Sequence, residues 1–403
     1  MEKTEGVLKK AATAFVAALL AVVLSFSLVA CSSDDGDDEE ASEETTEEEA
    51  EDEEATEEEE AEEESAEVEA VSSITDNRGV EISIPEDLKY IADIWPAHNQ
   101  IMMVIGQTDK IVVTTSATSS NLWVQEVFPE LADAISVGSN EVDTESFIAA
   151  GVQLAFTSSE ESATTMEDAG IAAAMVSYSD FEGLCDVMEL TASIFGGESV
   201  ERAEAYEEYL YGNIELVEEA LADVEEQKTL LYVNEYGLSY GTNTIVDEWI
   251  TAAGAVNAYT EEGSGEISAE TIISLDPDVI VVNSEETYEE FMTSDTYAGL
   301  TAVQNGDVYL SPTGTFYWSQ YGAEVALQVL WAAQLMYPDE MADVDLVAEV
   351  QYFYAEFFDY DLSEDDAERI INRLDPGEEL SDETTDETAD TEESTEEEVE
   401  EAA

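Results

Sequence analysis

Two stretches of this chain share one pattern, and that pattern decides the fold class. Residues 145–158 read ESFIAAGVQLAFTS, and residues 270–283 read ETIISLDPDVIVVN. They align without gaps, and each begins as a helix, passes a turn, continues as a short apolar strand and ends on a polar residue. The two copies lie 125 positions apart, which predicts two related lobes. A chance similarity between two helix–strand units is the competing interpretation.

Short apolar segments alternate with helical segments on both sides of a long uninterrupted helical segment. Strands are expected near residues 81–84, 90–94, 111–115, 152–157, 172–177, 229–234, 279–283 and 308–310, and a strongly apolar helix is expected from Gln320 to Tyr337. Such alternation favours parallel sheets covered by helices. Between Ser199 and Glu226 there is no Pro, and apolar residues recur at helical spacing over roughly 28 residues. We therefore predict an α/β protein with two Rossmann-like lobes around central parallel sheets, residues 71–198 and 228–374, bridged by one long α-helix over residues 199–227.

The first 30 residues have the organisation of a secretion signal. Lys9 and Lys10 precede an apolar run that ends in Leu28-Val29-Ala30-Cys31. That tetrapeptide resembles a bacterial lipobox, so we expect a signal peptide over residues 1–30 and lipidation at Cys31, with membrane contact through the lipid anchor alone. A plain transmembrane anchor or a non-lipidated signal remains open. Each of these alternatives also places the folded part outside the cytoplasm.

The formal net charge of −90 limits the partners of this protein. Residues 34–69 hold 24 acids and residues 375–403 hold 15, without one Lys or Arg. We therefore expect a disordered acidic linker over residues 31–70 and a disordered acidic tail over residues 375–403. The segment between them also carries far more acids than its seven bases. Such a surface repels nucleic-acid phosphates and anionic lipid, which excludes both as partners of the fold. Salt adaptation and recruitment of a basic partner are both compatible with it.

The sequence carries no motif for catalysis. There is no Walker loop or GxGxxG, and the single histidine, His98, has neither cysteine partners nor an HExxH context. Cys185 lies in an expected helix and is interpreted as a buried, inert thiol. Acids are so abundant that no pair of them indicates a glycosidase. We predict a protein that is not an enzyme and needs no cofactor. A surface-anchored hydrolase or lyase on the same scaffold, and an acidic adhesin that acts through its tails, are the alternatives.

Aromatic and polar residues follow the expected strands. Ligands of open α/β sheets bind outside the carboxyl ends of the strands, so these side chains are candidates for a cleft between the lobes. The candidate ligand-binding residues are Trp95, His98, Asn99, Ser116, Ser158, Tyr178, Tyr236, Asn283, Tyr317 and Trp318. An aromatic lining suits a bulky, partly planar ligand better than a sugar or an amino acid. Ordinary packing is the competing interpretation for each member, and His98 also fits a structural role at a helix start.

Four ordered motifs connect the chain to a known family. Residues 75–85 read TDNRGVEISIP and residues 105–112 read IGQTDKIV, while residues 270–282 fit the pattern ExLLxxxPDVIIV and residues 305–309 fit NGxVY. Together these segments resemble the class III solute-binding proteins of ABC importers, which serve the uptake of ferric siderophores, haem and cobalamin. The resemblance covers about residues 73–358.

This resemblance implies two lobes that close only slightly about a rigid helix. It also implies one glutamate per lobe, here Glu145 and Glu270, that docks on an ABC permease dimer with its ATPase. The first lobe departs from the family pattern, because residues 150–153 stand where LKPDLV is usual. Residues 95–99 and 314–318 look like those of the iron-complex and haem branch. The implied ligand is therefore an iron chelate, a ferric siderophore or haem, bound by a monomer. Cobalamin is the alternative ligand, and His98 or a tyrosine is a candidate to ligate iron directly.

Overall fold

A computed structural model describes residues 68–380. The expected signal peptide, Cys31, most of the acidic linker and most of the acidic tail lie outside these described residues. Between residues 68 and 380, no helix is both long and apolar enough to cross a membrane.

The first lobe is built on a five-stranded parallel sheet that follows a short ribbon. The ribbon pairs β1 (Ser73–Thr75) and β2 (Glu81–Ser83) in antiparallel fashion. The sheet contains β3 (Ile91–Asp93), β4 (Ile111–Thr115), β5 (Ile135–Val137), β6 (Leu154–Thr157) and β7 (Ala172–Met175). Their order is β5-β4-β3-β6-β7, so the direction of winding changes between β3 and β6. Helices cover both faces of the sheet, which is why central strands such as β6 read as unbroken apolar runs.

Most helices of the first lobe begin at side chains that cap them. They are α1 (Pro96–Val104), α2 (Ser116–Ser119), α3 (Leu122–Val127), α4 (Thr144–Ala150), α5 (Glu160–Asp168) and α6 (Phe181–Ser193), with 3-10 turns at Thr108–Lys110 and Pro129–Asp133. The side chains of Asn121, Asp143, Ser159 and Asp180 each accept a hydrogen bond from a backbone amide in the first turn of α3, α4, α5 and α6. Each cap satisfies a donor that would otherwise lack a partner and so fixes where the helix starts.

One long helix, α7 (Glu198–Ala220), joins the two lobes. Its buried side packs against the second lobe, where Tyr206 Oη donates to the carbonyl oxygen of Ala323 at 2.7 Å. Asn213 Nδ2 donates to the carbonyl oxygen of Ala326 at 3.1 Å. These contacts make α7 a packed strut rather than a flexible linker.

The helix α7 is shorter than the sequence pattern predicts. It ends at Ala220 with 23 residues, six residues before Glu226. Its last turn carries acids and no base, and negative charge is unfavourable beside the carboxyl end of a helix. The two apolar residues beyond it, Leu221 and Val224, pack on the core from irregular backbone. The apolar residues therefore keep their helical spacing beyond the residue at which the helix ends.

The second lobe is built on a four-stranded parallel sheet. Its strands are β8 (Thr229–Val233), β10 (Val256–Asn257), β12 (Val279–Val282) and β13 (Val308–Leu310), and a separate ribbon pairs β9 (Leu238–Tyr240) with β11 (Ser264–Glu266). The sheet order is β10-β8-β12-β13. The helices are α8 (Ile245–Ala252), α9 (Ala269–Leu275), α10 (Glu285–Thr293), α11 (Thr301–Asn305), α12 (Val325–Met336), α13 (Leu346–Phe358) and α14 (Glu364–Ile371). Two parallel-sheet lobes and a single bridging helix confirm the predicted fold class.

The two copies of the sequence repeat occupy equivalent places. The first forms α4 and β6, and the second forms α9 and β12; both strands are interior to their sheets. Both helices end in a left-handed residue, Gly151 with φ of 76° and Asp276 with φ of 40°. The lobes are therefore built from similar helix–strand units, as the alignment predicts.

The last helices return to the first lobe and tie the molecule together. Phe358 of α13 contacts Phe128 of the first lobe, with ring centres 5.3 Å apart. Arg202 of α7 donates to the carbonyl oxygens of Val104 and Phe357, each at 2.6 Å. One apolar core therefore runs through both lobes, α7 and the carboxyl-terminal helices. Such continuity limits how far the lobes can move relative to each other.

Candidate ligand-binding cleft

Loops that follow strands in both lobes meet each other. Asn121, which follows β4 and α2 in the first lobe, donates through Nδ2 to the carbonyl oxygen of Gly314 in the second lobe at 3.0 Å. The hydroxyl of Tyr178, which follows β7, donates to the carbonyl oxygen of Tyr321. The carboxyl ends of both sheets therefore border one cleft, the place where open α/β sheets bind ligands.

Three aromatic rings cross this cleft, and we call them the aromatic bridge: Trp95, Tyr178 and Tyr321. Trp95 and Tyr178 belong to the first lobe, with ring centres 5.0 Å apart. Tyr321 belongs to the second lobe and lies 6.1 Å from Tyr178. Burial raises the pKa of Tyr178 and of Tyr321 above the ordinary phenol value, so both stay neutral. Trp95 and Tyr321 are half-buried and offer uncharged ring surface for stacking, whereas Tyr178 is buried between them.

A cavity of about 350 Å³ lies beside the lobe contact, and we call it the cleft cavity. It is lined by Ser120, Asn121, Leu122, Trp123, Thr313, Gly314, Tyr317, Arg373, Leu374 and Asp375. The guanidinium of Arg373 lies over the ring of Tyr317 at 5.6 Å and donates to the carbonyl oxygen of Ser311 at 3.2 Å. A larger depression of about 600 Å³ between α7 and α8 contains none of the candidate residues.

Three of the ten candidate residues lie in the cleft, and two others are exposed just after strands. Trp95 and Tyr178 belong to the aromatic bridge, and Tyr317 lines the cleft cavity. Ser116 is exposed at the start of α2. Tyr236 follows β8, is 76% exposed, and has no aromatic contact among the described residues. These five sit where the rule on strand ends predicts them, and their ligand contacts remain a prediction.

His98 and Asn99 do not face the cleft, which corrects the expectation that they line it. Both are fully buried. The ring of His98 has Nδ1 at 2.8 Å from Asp93 Oδ2 and Nε2 at 3.0 Å from Thr191 Oγ1. Asn99 Nδ2 donates to the carbonyl oxygen of Asp93 at 3.0 Å. With both ring nitrogens engaged inside the core, this arrangement presents no free nitrogen of His98 to iron.

Three other candidates are also held by internal contacts. Ser158 Oγ accepts a hydrogen bond from Asn140 Nδ2 at 2.9 Å, beside the point where the strand order of the first sheet reverses between β3 and β6. Asn283 is buried at the corresponding point in the second lobe, where its Oδ1 accepts from the amide of Glu235 at 2.8 Å. Trp318 is fully buried. These three shape the loops around the cleft rather than its surface.

A buried carboxylate, Glu324, organises the same loops, and the sequence analysis missed it. Its two oxygens accept hydrogen bonds from five donors: Gln100 Nε2, Thr315 Oγ1, the amide of Phe316, Trp318 Nε1 and Tyr354 Oη. Desolvation by burial raises the pKa of Glu324, and these hydrogen bonds oppose that rise. The chain turns around this group, so α12 begins at Val325 rather than at Gln320 as predicted. In a sequence so rich in acids, no local signal marked this one.

The expected docking residues, Glu145 and Glu270, occupy matching exposed positions. Each is the second residue of its helix, α4 or α9. One turn further along, each helix exposes an isoleucine, Ile148 at 57% and Ile273 at 46%. The two lobes therefore present the same pair of side chains, one acidic and one apolar, at equivalent places.

A pair of bridged parallel-sheet lobes with an aromatic cleft between them defines a protein that captures a small ligand. The family described as "Periplasmic binding protein" matches residues 95–313. The chain belongs to this family, and its fold is that of the class III substrate-binding proteins of ABC transporters. The family consists of transport proteins rather than enzymes, and it works outside the cytoplasm.

Known proteins similar to this chain bind different solutes. The molybdate-binding protein MolA of Haemophilus influenzae is 24% identical over an alignment of 331 positions, which covers 73% of this chain and 93% of MolA. The structure of MolA bound to molybdate covers 72% of this chain and 99% of its own, at 22% identity and a TM-score of 0.66. The structure of a periplasmic solute-binding protein of Veillonella parvula covers 74% of this chain and 96% of its own, at 24% identity and a TM-score of 0.64. The structure of CeuE of Helicobacter pylori with Ni(II) bound covers 74% of this chain and 99% of its own, at 18% identity and a TM-score of 0.62.

Proposed function

We propose that this substrate-binding protein captures an iron chelate, a ferric siderophore or haem, in the cleft and delivers it to an ABC permease. The observation that carries the proposal is the aromatic bridge, because the tilted rings of Trp95, Tyr178 and Tyr321 contact one another between the two lobes. A bulky, partly planar ligand gains most from such a surface. The resemblance of residues 95–99 and 314–318 to the iron-complex and haem branch supports the same ligand class.

A titration tests the ligand class. Purified protein is titrated with haemin, ferric citrate, cyanocobalamin and molybdate, and tryptophan fluorescence and heat are measured. We expect haemin or ferric citrate to bind and to quench Trp95, since this indole is part of the aromatic bridge. Trp95→Leu is expected to weaken that binding about tenfold. Trp331→Leu, which removes a buried indole of α12 away from the cleft, is the control for nonspecific loss. Binding of cyanocobalamin alone would contradict the iron-chelate proposal.

Molybdate is a second candidate ligand. It is favoured by the similarity to MolA and by Arg373 in the cleft cavity, because a guanidinium is a good partner for an oxyanion. Exclusive binding of molybdate in the same titration would select this alternative.

We assign docking on the permease to the exposed pair in each lobe. The supporting observation is that Glu145 with Ile148, and Glu270 with Ile273, recur at equivalent positions. Basic residues on a permease would pair with the acids, and each isoleucine would bury its exposed surface on contact. A small core of this kind rimmed by charge is typical of transient interfaces.

A double variant tests docking separately from ligand binding. Glu145→Ala with Glu270→Ala is expected to bind ligand with unchanged Kd, because neither acid lines the cleft cavity or contacts the aromatic bridge. The same variant is expected to abolish uptake by cells. Glu160→Ala with Glu286→Ala is the matched control, since these exposed acids also lie in first turns of helices, α5 and α10. Wild-type uptake by the first double variant would refute the docking role.

Lipidation at Cys31 remains part of the proposal and keeps the protein on the membrane. The supporting observation is the lipobox-like tetrapeptide, residues 28–31. Cys31→Ala should release the protein into the medium, as fractionation and immunoblotting would detect. Retention of this variant in the membrane fraction would contradict lipidation at this position.

A further inference from the structure

Arg373 is an unusual cation in this chain. Five of the seven Lys and Arg residues between residues 68 and 380 form ion pairs, namely Arg78, Lys89, Lys110, Arg202 and Arg369. Among the described residues no carboxylate lies within ion-pair distance of Arg373, although the fold carries a large excess of acids. Its charge is half-buried, and burial lowers its pKa. The guanidinium of Arg373 therefore carries a charge that no carboxylate neutralises directly and that an anion can pair with.

The surroundings of Arg373 include a second unsatisfied group. The hydroxyl of Thr313 is buried in the wall of the cleft cavity and has no hydrogen-bond partner within residues 68–380. Tyr317 lies beneath the guanidinium, and burial raises the pKa of its hydroxyl, which stays a donor. Three donors of the second lobe therefore border one cavity, and Asn121 closes it from the first lobe.

The backbone holds Arg373 in this position. It has a φ of 60°, a left-handed conformation that is disfavoured for a residue with a side chain. The next residue is fixed as well, because Trp123 Nε1 of the first lobe donates to the carbonyl oxygen of Leu374 at 3.0 Å. The chain after α14 thus turns so that the guanidinium enters the cleft cavity.

The acids nearest to Arg373 set the field around it. Glu235 and Glu285, at the ends of β8 and β12, act on it from a distance, and Asp375 lines the cavity wall. Without Arg373 these carboxylates would repel any anion that approached the cleft. With Arg373 present, an acidic group of an anionic ligand can pair with the guanidinium.

We propose that Arg373, Thr313 and Tyr317 form an anion-recognition subsite that binds a carboxylate or oxyanion of the captured ligand. This inference rests on the proposed function and specifies it, since it selects an anionic chelate over a neutral or cationic one. The planar guanidinium can donate two parallel hydrogen bonds to such a group, and the Thr313 hydroxyl supplies a third. The cleft cavity holds the acidic arm, and the aromatic bridge stacks on the rest of the ligand.

The test compares two arginines on the same carboxyl-terminal segment. The full chain is titrated with haemin, which carries two propionates, with ferric citrate and with molybdate, and with haemin dimethyl ester and cyanocobalamin as probes without free acid groups. For the anionic probe that binds, Arg373→Gln is expected to raise Kd at least tenfold and Arg373→Lys to raise it less. Arg369→Gln removes the same charge from an arginine paired with Asp366 and should change Kd less than twofold.

A second variant guards against loss of folding. Thr313→Val keeps the shape of the side chain and removes the hydroxyl, and it should raise Kd about threefold to tenfold with an unchanged thermal midpoint. Equal binding by wild type and Arg373→Gln would overturn the subsite, and so would equal losses in Arg373→Gln and Arg369→Gln. Tight binding of haemin dimethyl ester or cyanocobalamin alone would overturn it while leaving a substrate-binding role intact. Failure of wild type to bind any probe would instead remove the proposed ligand class, and the subsite with it.

Discussion

Single residues around the cleft divide into those that face the ligand space and those that hold the loops. Residues 95–99 follow β3 directly, so the rule on strand ends selected Trp95, His98 and Asn99 together. In the structure only Trp95, just before α1, faces the cleft, because the first turn of α1 directs His98 and Asn99 back towards Asp93. The sequence could not predict this division, since Thr191, the other partner of His98, lies 93 residues away.

At the residue scale, Glu324 is the side chain on which the most hydrogen bonds around the cleft converge. Glu324→Gln is expected to lower the free energy of unfolding by about 2–4 kcal/mol, because the new NH₂ group must face donors such as Trp318 Nε1 or the amide of Phe316. Urea unfolding measures the change. Glu340→Gln, at an exposed position, is the matched control and should change stability by less than about 0.5 kcal/mol. Equal stability of both variants would show that Glu324 does not hold these loops.

At the scale of elements, the existence and order of the helices and strands were easier to predict from the sequence than their first and last residues. Short, mainly apolar strands such as β6 and β12 were recognisable because both of their faces are buried, so that apolar and polar residues do not alternate. Helix ends were less predictable. The helix α7 ends before its apolar pattern ends, because its last turn is rich in acids. The helix α12 starts later than its apolar pattern, because the chain first turns around the buried carboxylate of Glu324.

The bridging helix carries one weak position, Gly212. A Cβ added there meets nothing within 4 Å. Gly212→Ala should therefore stabilise the protein by about 1 kcal/mol, since alanine loses less backbone freedom in a helix. Urea unfolding is the measurement. Gly237→Ala is the control, because its site is equally open but has a φ of 69°, so the same methyl group should destabilise by about 1 kcal/mol. A loss of stability in Gly212→Ala would mean that the helix is not straight at this point.

At the scale of the whole molecule, the large excess of acids makes stability depend on pH. Burial raises the pKa of Glu324, Glu349, Glu207 and Glu248, and around Glu207 neighbouring carboxylates add to the rise. A carboxyl with a raised pKa binds its proton more tightly in the folded state than in the unfolded state. Stability from these groups therefore falls as the pH climbs from about 4.5 through the raised values.

We expect the thermal midpoint to be higher at about pH 5 than at about pH 7.5, by several degrees, in scanning calorimetry at low salt. The pKa of Asp76, paired with Arg78, is lowered, so its contribution is lost only below about pH 4, and stability should fall again there. Salt separates the causes. At about 1 M NaCl repulsion between exposed carboxylates is screened, so the remaining gain should come from buried groups and should shrink further in Glu324→Gln. A midpoint that rises from about pH 5 to about pH 7.5 would mean that ion pairs, rather than buried acids and like-charge repulsion, dominate the stability of this fold.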